Sequence, residues 1–315
     1  MRLLPALLVI ASTLQAQNRP RARDLGVPFD GTPGPLNAIT DVAGVTVGHA
    51  TIIKGAGTLV VGQGPVRTGV TAIFPRGATN GDPVFGGWFT LNGNGEMTGT
   101  TWLEESGFLA GPVMITNTHS VGVVRDAVIE WLVRKGFEFD WSLPVVAETW
   151  DGSLNDINGF HVTKAHAFAA LDSAHGGPVV EGNVGGGTGM ICNQFKGGMR
   201  RCCPISSSAS PSAPLGVGRL GGTGGNPSGD IFVALSTANP GAAKPDASVS
   251  VTMLPNERID PLFQATIPAT EEAIVNAMVA AETMTGINGM RVYALPHERL
   301  RAALRKYNRL VEPRR

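Results

Sequence analysis

A series of short runs in which β-branched and apolar residues alternate, each closed by Gly, Pro or Asn, constrains this chain more than any other feature. GVTVGHATI, GVTAIFP, PVMITNT, LPVVAETW, DIFVALSTA, SVSVTML and RVYALP all read as strands. The spacing turns helical in only a few places. In SVGVVRDAVIEWLVRKG, residues Val124, Ala127, Val128, Trp131 and Leu132 follow the i, i+3, i+4, i+7 pattern, with Ser120 as a cap and Gly136 as a stop. In TEEAIVNAMVAAETMTG, residues Ile274, Ala277, Met278 and Ala281 do the same, with Thr270 as the cap and Gly286 as the end. A shorter helix is predicted in TKAHAFAALDSA, and another after Pro296 in HERLRAALRKY. Strands and helices do not alternate one for one, which disfavours a doubly wound parallel sheet. The order suits β-layers covered by helices on their outer faces, and no solenoid period is present.

Composition narrows the function classes. At 315 residues and 43% hydrophobic, the chain can bury a substantial core. Lys plus Arg equals Asp plus Glu at 25 each, so no charge excess draws nucleic acid or anionic lipid. A small molecule or peptide is the better partner. The opening MRLLPALLVIASTLQAQNRPRARD carries Arg2, an apolar run from Leu3 to Ala11 and a small Ala16. That order predicts a secretory signal peptide over residues 1–16, too short to span a bilayer as a helix. The mature chain, residues 17–315, is then periplasmic or secreted, reads as a single domain and needs no membrane.

The three cysteines leave an odd thiol in an exported protein. Adjacency disfavours a bridge between Cys202 and Cys203, whereas Cys192 can pair with either across a short loop. CxxC, HExxH and spaced Cys/His sets are missing and the six histidines are scattered, so no metal and no cofactor are expected. The Gly cluster EGNVGGGTGM lacks the Lys and Ser/Thr of a phosphate-binding loop. It is either a tight turn where backbone meets backbone or a place that leaves room for substrate.

Two stretches offer site chemistry. LPVVAETWDGSLND ends an apolar strand with Glu148, Trp150 and Asp151. Glu148 is either a solvated loop carboxylate or a ligand for a cationic substrate group. NPSGDIFVALSTANP places Ser228 and Asp230 two residues apart at a strand start, where both can face one side. The same Asn-Pro-Ser-Gly-Asp is also turn chemistry. No GxSxG elbow occurs.

Taken in order, GVPFDGTPGPLNAITDVAGVTVGHATI, RTGVTAIFPRG, LNGNGEMTGT, LPVVAETWDGSLNDINGFHVT, GGPVVEGNVGGGTGMICNQFKGG, SGDIFVALSTANP and ATEEAIVNAMVAAETMTGINGMRVYALPHERL closely resemble the DmpA family of aminopeptidases, from about Asp24 to Leu300. The resemblance implies an αββα four-layer sandwich of the N-terminal-nucleophile type. It also implies a precursor that cuts itself before a Ser whose new α-amine then serves as the base. The implied substrates are small peptides and amino-acid amides or esters, the implied assembly is a homo-oligomer, and no cofactor is needed. Residue by residue, Ser228 and Asp230 fall on the family's second Ser and its acidic partner, which assist catalysis. Glu148 falls on the acid that pairs the substrate ammonium. Trp150 takes the position of a Tyr whose hydroxyl helps hold the oxyanion.

One segment departs from that resemblance. FKGG at Phe195 to Gly198 passes through MRRCCPISSSASPSAP straight to LGVGRLGG at Leu215 to Gly222, so residues 199–214 form an aberrant junction. In the family this interval holds three strands and a helix, on the order of 50 residues, with the cleavage site, the nucleophilic Ser and the oxyanion Asn. Ser206, Ser207, Ser208, Ser210 and Ser212 lie in a Pro-interrupted tract without a strand pattern, so the nucleophile is unassigned. Three readings follow. The chain is an aminopeptidase that compensates, with Thr223 or Ser228 as the new N-terminal residue; it is an inactive relative that binds amino compounds or persists as an oligomeric shell; or its reading frame is damaged.

Overall fold

Alternation along TVGHATIIK and VRTGVTAIF builds the first sheet of the computed structural model, which describes residues 19–199, 211–244, 246 and 248–312. The predicted signal peptide lies outside the described residues, as do Cys202, Cys203 and Ser206, Ser207, Ser208 and Ser210 of the junction. β1 (Thr46–Lys54) and β2 (Val66–Phe74) pair antiparallel with Ala50 opposite Val70. β3 (Val84–Thr90), α1 (Thr100–Ser106) and β4 (Phe108–Leu109) follow. β5 (Val113–Asn117) returns antiparallel to β2, α2 (Val121–Arg134) crosses over, and β6 (Val145–Thr149) lies parallel to β5. The sheet order is β1-β2-β5-β6.

The period of two along a strand sorts this sheet into two faces. Ala50, Ile52, Val70, Ala72, Phe74, Met114 and Val146 turn one way. They bury against Val124, Ala127, Val128 and Trp131 of α2 and against Ala167, Ala170 and Leu171 of α3 (Lys164–Asp172). Gly48 lets α3 sit close to β1, because a side chain there would meet the Ala174 amide and the Ser173 hydroxyl, each at 2.7 Å. The opposite face receives the second sheet. After the short hairpin β7 (Ile191–Cys192) and β8 (Phe195–Lys196) and the helix α4 (Ala213–Arg219), β9 (Ile231–Ser236) pairs with β3. The second sheet is therefore β4-β3-β9, antiparallel throughout. Val84, Leu103 and Leu109 from its side bury against Val113 and Val145 of the first sheet.

α5 (Asp260–Val279) packs on α4 and on the segment around Ala22 and Leu25, where Arg23 forks onto Glu272 and the Ala22 amide donates to Asn276. The amphipathic α6 (His297–Lys306) closes the described chain. The outcome is the mixed α/β layering expected from the strand and helix order, with a second sheet of only three strands among the described residues.

Three local expectations need correction. SVSVTML forms no strand: residues 248–254 run without a ladder partner, leaving Val249, Val251, Met253 and Leu254 exposed. Alternation supplies a face but not a neighbour, and among the described residues no strand pairs with this stretch. Thr270 is not a cap, because α5 begins at Asp260 and runs through Pro268. Pro261 in its first turn is the true start signal. β3, in VFGGWFT, was not anticipated; Gly86 and Gly87 break its apolar pattern.

Between the two sheets lies a cavity of about 990 Å³. Val47, Ile73 and Ile115 of the first sheet wall one side, Ile231, Val233 and Leu235 of β9 another, and Met253, Leu254, Ile259 and Leu262 the rest. A cleft of this size is within the range that holds small ligands.

Candidate functional site

The site is built where β6 ends and β9 begins. Glu148 is registered opposite Thr116 of β5, and its amide donates to the Glu96 carbonyl at 3.1 Å. Its carboxylate is oriented by Thr118, whose hydroxyl donates to Oε2 at 2.5 Å. Oε1 turns toward Gly95. A side chain on Gly95 would begin 3.2 Å from that oxygen, 3.3 Å from Gly229 Cα and 3.4 Å from Ile231 Cδ1. Gly95 thus sits tightly between the two strand ends, where a side chain would press its neighbours apart by a few tenths of an ångström, and Glu148 stands on the cavity wall.

Ser228 and Asp230 occupy the turn that leads into β9, and their i, i+2 spacing places them side by side. The Ser228 hydroxyl donates to Asp230 Oδ2 at 2.7 Å. The turn itself is held by its neighbour LNGNG: the Asp230 amide donates to Asn92 Oδ1 at 2.7 Å, Asn92 Nδ2 donates to the Gly225 carbonyl and Asn94 Nδ2 to that of Asn226. The Ser228 amide donates to the Gly225 carbonyl as in an ordinary turn. Turn chemistry and a paired acid and hydroxyl therefore coexist here.

Glu148 and Ile231 line the cavity, whereas Ser228, Asp230 and Trp150 do not; Gly95, which borders both Glu148 Oε1 and Gly229, brings the turn of Ser228 and Asp230 up to Glu148 at the cavity rim. Trp150 is 59% exposed and lies over Gly152. Thr149 turns inward instead, its single hydroxyl proton shared between the Gly186 carbonyl at 2.8 Å and that of Thr116 at 3.0 Å. Asp151 is buried, accepts from Asn155 Nδ2 at 2.9 Å, and has its carboxyl pushed up to about 6, mainly by desolvation. The Gly cluster is a close backbone approach: the amides of Gly185 and Gly186 bond Thr51 and Thr71 on the cavity face of the first sheet. Asn92, Asn94, Gly95 and Thr118 carry the site's geometry and were missed from the sequence. Only the alternating Asn-Gly-Asn-Gly, with side-chain amides at every second position, hints at a scaffold for a neighbouring turn.

The model of "Peptidase family S58" matches residues 37–210 and 207–292. This chain belongs to peptidase family S58. It is 45% identical over 382 aligned residues to a β-peptidyl aminopeptidase of Sphingosinicella microcystinivorans, covering 96% of either chain. Among solved structures it is similar to the L-aminopeptidase D-Ala-esterase/amidase of Ochrobactrum anthropi, described as a variant of the Ntn hydrolase fold, with a TM-score of 0.86, 41% identity and coverage of 93% of this chain and 100% of that one. It is also similar to a β-aminopeptidase of a Burkholderia species, at a TM-score of 0.82, 40% identity and coverage of 91% and 98%.

The comparisons also show what this S58 chain lacks against a relative, summed along the chain. The two matched blocks meet at 207–210, inside the junction. The 382 aligned positions exceed the roughly 302 residues that make up 96% of 315 by about 80, positions at which the relative has residues and this chain has none. That is more than the on the order of 50 expected from typical element lengths. Of the junction serines, Ser212 is described, at the N-cap of α4.

Proposed function

We propose that this chain is an exported aminopeptidase of the S58 type. It acts on the free amino end of small peptides, amino-acid amides and esters in the periplasm or outside the cell. Glu148 pairs the substrate ammonium, and the Ser228 and Asp230 pair supports a nucleophile exposed by cleavage between Gly198 and Ser228. The α-amine freed there, with an ordinary pKa of about 8, takes the proton of the attacking hydroxyl. The observation that carries this reading is that Glu148, on the cavity wall, and the turn holding the Ser228 and Asp230 pair meet at Gly95. The chain's 45% identity to the β-peptidyl aminopeptidase of Sphingosinicella microcystinivorans favours β-amino-acyl substrates within this class.

A second reading, an amine-binding relative without turnover, is favoured by the roughly 80 aligned positions that this chain lacks. Export rests on the order of charge, apolar run and small residue in 1–16. A homo-oligomer is supported by the exposed aromatic pair Trp102 and Trp141, edge to face at 5.0 Å beside exposed Leu143. Intact mass spectrometry of the mature chain, run beside hydrolysis of α- and β-alanine p-nitroanilides, tests the main reading. Two fragments with turnover support it; an uncut chain that binds amines without turnover establishes the second reading.

A further inference from the structure

β9 is the outermost strand of its sheet among the described residues, with β3 as its neighbour there. Antiparallel pairs alternate in which residues point their backbone groups at the partner. The Leu91 amide donates to the Asp230 carbonyl, and the Gly86 amide turns away from β9 to the Gly107 carbonyl beside β4. Phe232, Ala234 and Ser236 therefore face β3, and Ile231, Val233 and Leu235 present their N–H and C=O groups at the open edge. The side chains of those same residues line the cavity. An edge of this kind pairs with any extended chain laid beside it.

We propose that the β9 edge is a peptide-binding seat. An extended peptide of about six residues, apolar at alternate positions and with a free amino terminus, adds to the second sheet parallel to β9. Its backbone bonds Ile231, Val233 and Leu235, and its apolar side chains enter the cavity. Its ammonium lies at Glu148, whose Oε1 and the Ile231 side chain both border the same point beside Gly95. The direction follows from charge: the acid stands at the start of β9, so the amino end starts there. Polypeptide is the matching chemistry because the open edge presents backbone N–H and C=O groups at every second residue, the spacing that an extended chain's own backbone satisfies. The seat shares with the proposed function the capture of an ammonium by Glu148 and needs no turnover.

Fluorescence anisotropy tests it on the mature chain with a C-terminally labelled Val-Thr-Val-Thr-Val-Thr peptide, its N-acetyl form, and two forms N-methylated on alternate residues. Binding is expected to weaken about tenfold on acetylation, as loss of a charge pair predicts. Methylating one alternate set is expected to abolish binding, and methylating the other to leave it unchanged. Binding that ignores acetylation but is abolished by one methylated set keeps the edge seat and sinks ammonium capture. Binding that responds to acetylation but to neither methylated set overturns the seat and leaves amine capture standing. A stable dimer that excludes the peptide until Val233→Pro disperses it assigns the edge to a second copy and likewise overturns the proposal.

Discussion

The Ser228 hydroxyl donates to the Asp230 carboxylate across 2.7 Å, and Gly95 and Gly229 pack against each other between that pair and Glu148. The acid fixes where the hydroxyl proton points, so the pair is a positioned group on a turn whose backbone is pinned separately by Asn92 and Asn94. Asp230→Asn and Ser228→Ala are therefore expected to leave stability within about 0.5 kcal/mol, as for exposed positions away from the core. Hydrolysis of an amino-acid p-nitroanilide by the mature chain is expected to fall on the order of a hundredfold. Thermal melts and initial rates on the same preparations check both; a large melting change with unaltered rates would make the pair structural.

Arg67 holds the open end of the first sheet. Its guanidinium is buried and donates to the carbonyls of Lys54, Gly55, Val66 and Thr285, at 2.7 to 2.9 Å. A lysine is a point donor and cannot reproduce that planar fan. Arg67→Lys is expected to cost about 3 kcal/mol, since buried acceptors lose charged partners. Urea unfolding measures it, and a change below about 1 kcal/mol would show that water replaces the fork.

The physical reasons for what was legible differ from element to element. β1 and β2 could be read because each buries one face against helices, which puts apolar residues at every second position in Ala50 and Ile52 and in Val70, Ala72 and Phe74. SVSVTML alternates as clearly and is no strand, because a ladder needs a neighbour that sequence periodicity does not report. β3 was hidden by Gly86 and Gly87, of which Gly86 serves close packing against Leu103 and Leu109. Glu148 and the pair Ser228 and Asp230 were legible as carboxylate and hydroxyl groups at strand ends. Their convergence was not, since Gly95, where they meet, has no chemistry of its own, and nothing local distinguishes the buried Asp151 from the exposed Trp150 beside it.

Asp151 sets an acid-side pH dependence. Burial pushes its carboxyl up to about 6 in the folded chain, against about 3.9 when unfolded. The fold then binds this proton more tightly than the unfolded chain, so stability is gained as pH falls from about 6 toward 4 and is lost as pH rises through 6. The contribution is on the order of 3 kcal/mol. Asp151→Asn keeps an oxygen for the Asn155 amide and has no proton to exchange. The difference in unfolding free energy between wild type and variant is expected to shift by about 2 kcal/mol between pH 4.5 and 7; a constant difference would place the carboxyl near its ordinary value.

Lys196 acts in the opposite window. It is wholly buried at the last strand before the junction, and its ammonium donates to the carbonyls of Met190 at 2.9 Å and Gly197 at 2.5 Å, tying β8 to the Gly-rich turn. None of these partners is a carboxylate, and burial pushes the amine down to about 7. The unfolded chain holds that proton to about 10.4. Between about pH 7 and 10 unfolding takes a proton up, so stability rises with pH by up to about 1.4 kcal/mol per unit. Lys196→Met removes both the carbonyl bonds and the slope. Its destabilisation relative to wild type is therefore expected to grow steadily from pH 7 to 10 in urea titrations. A penalty that stays flat over that range would mean that carbonyl dipoles alone keep the buried amine charged.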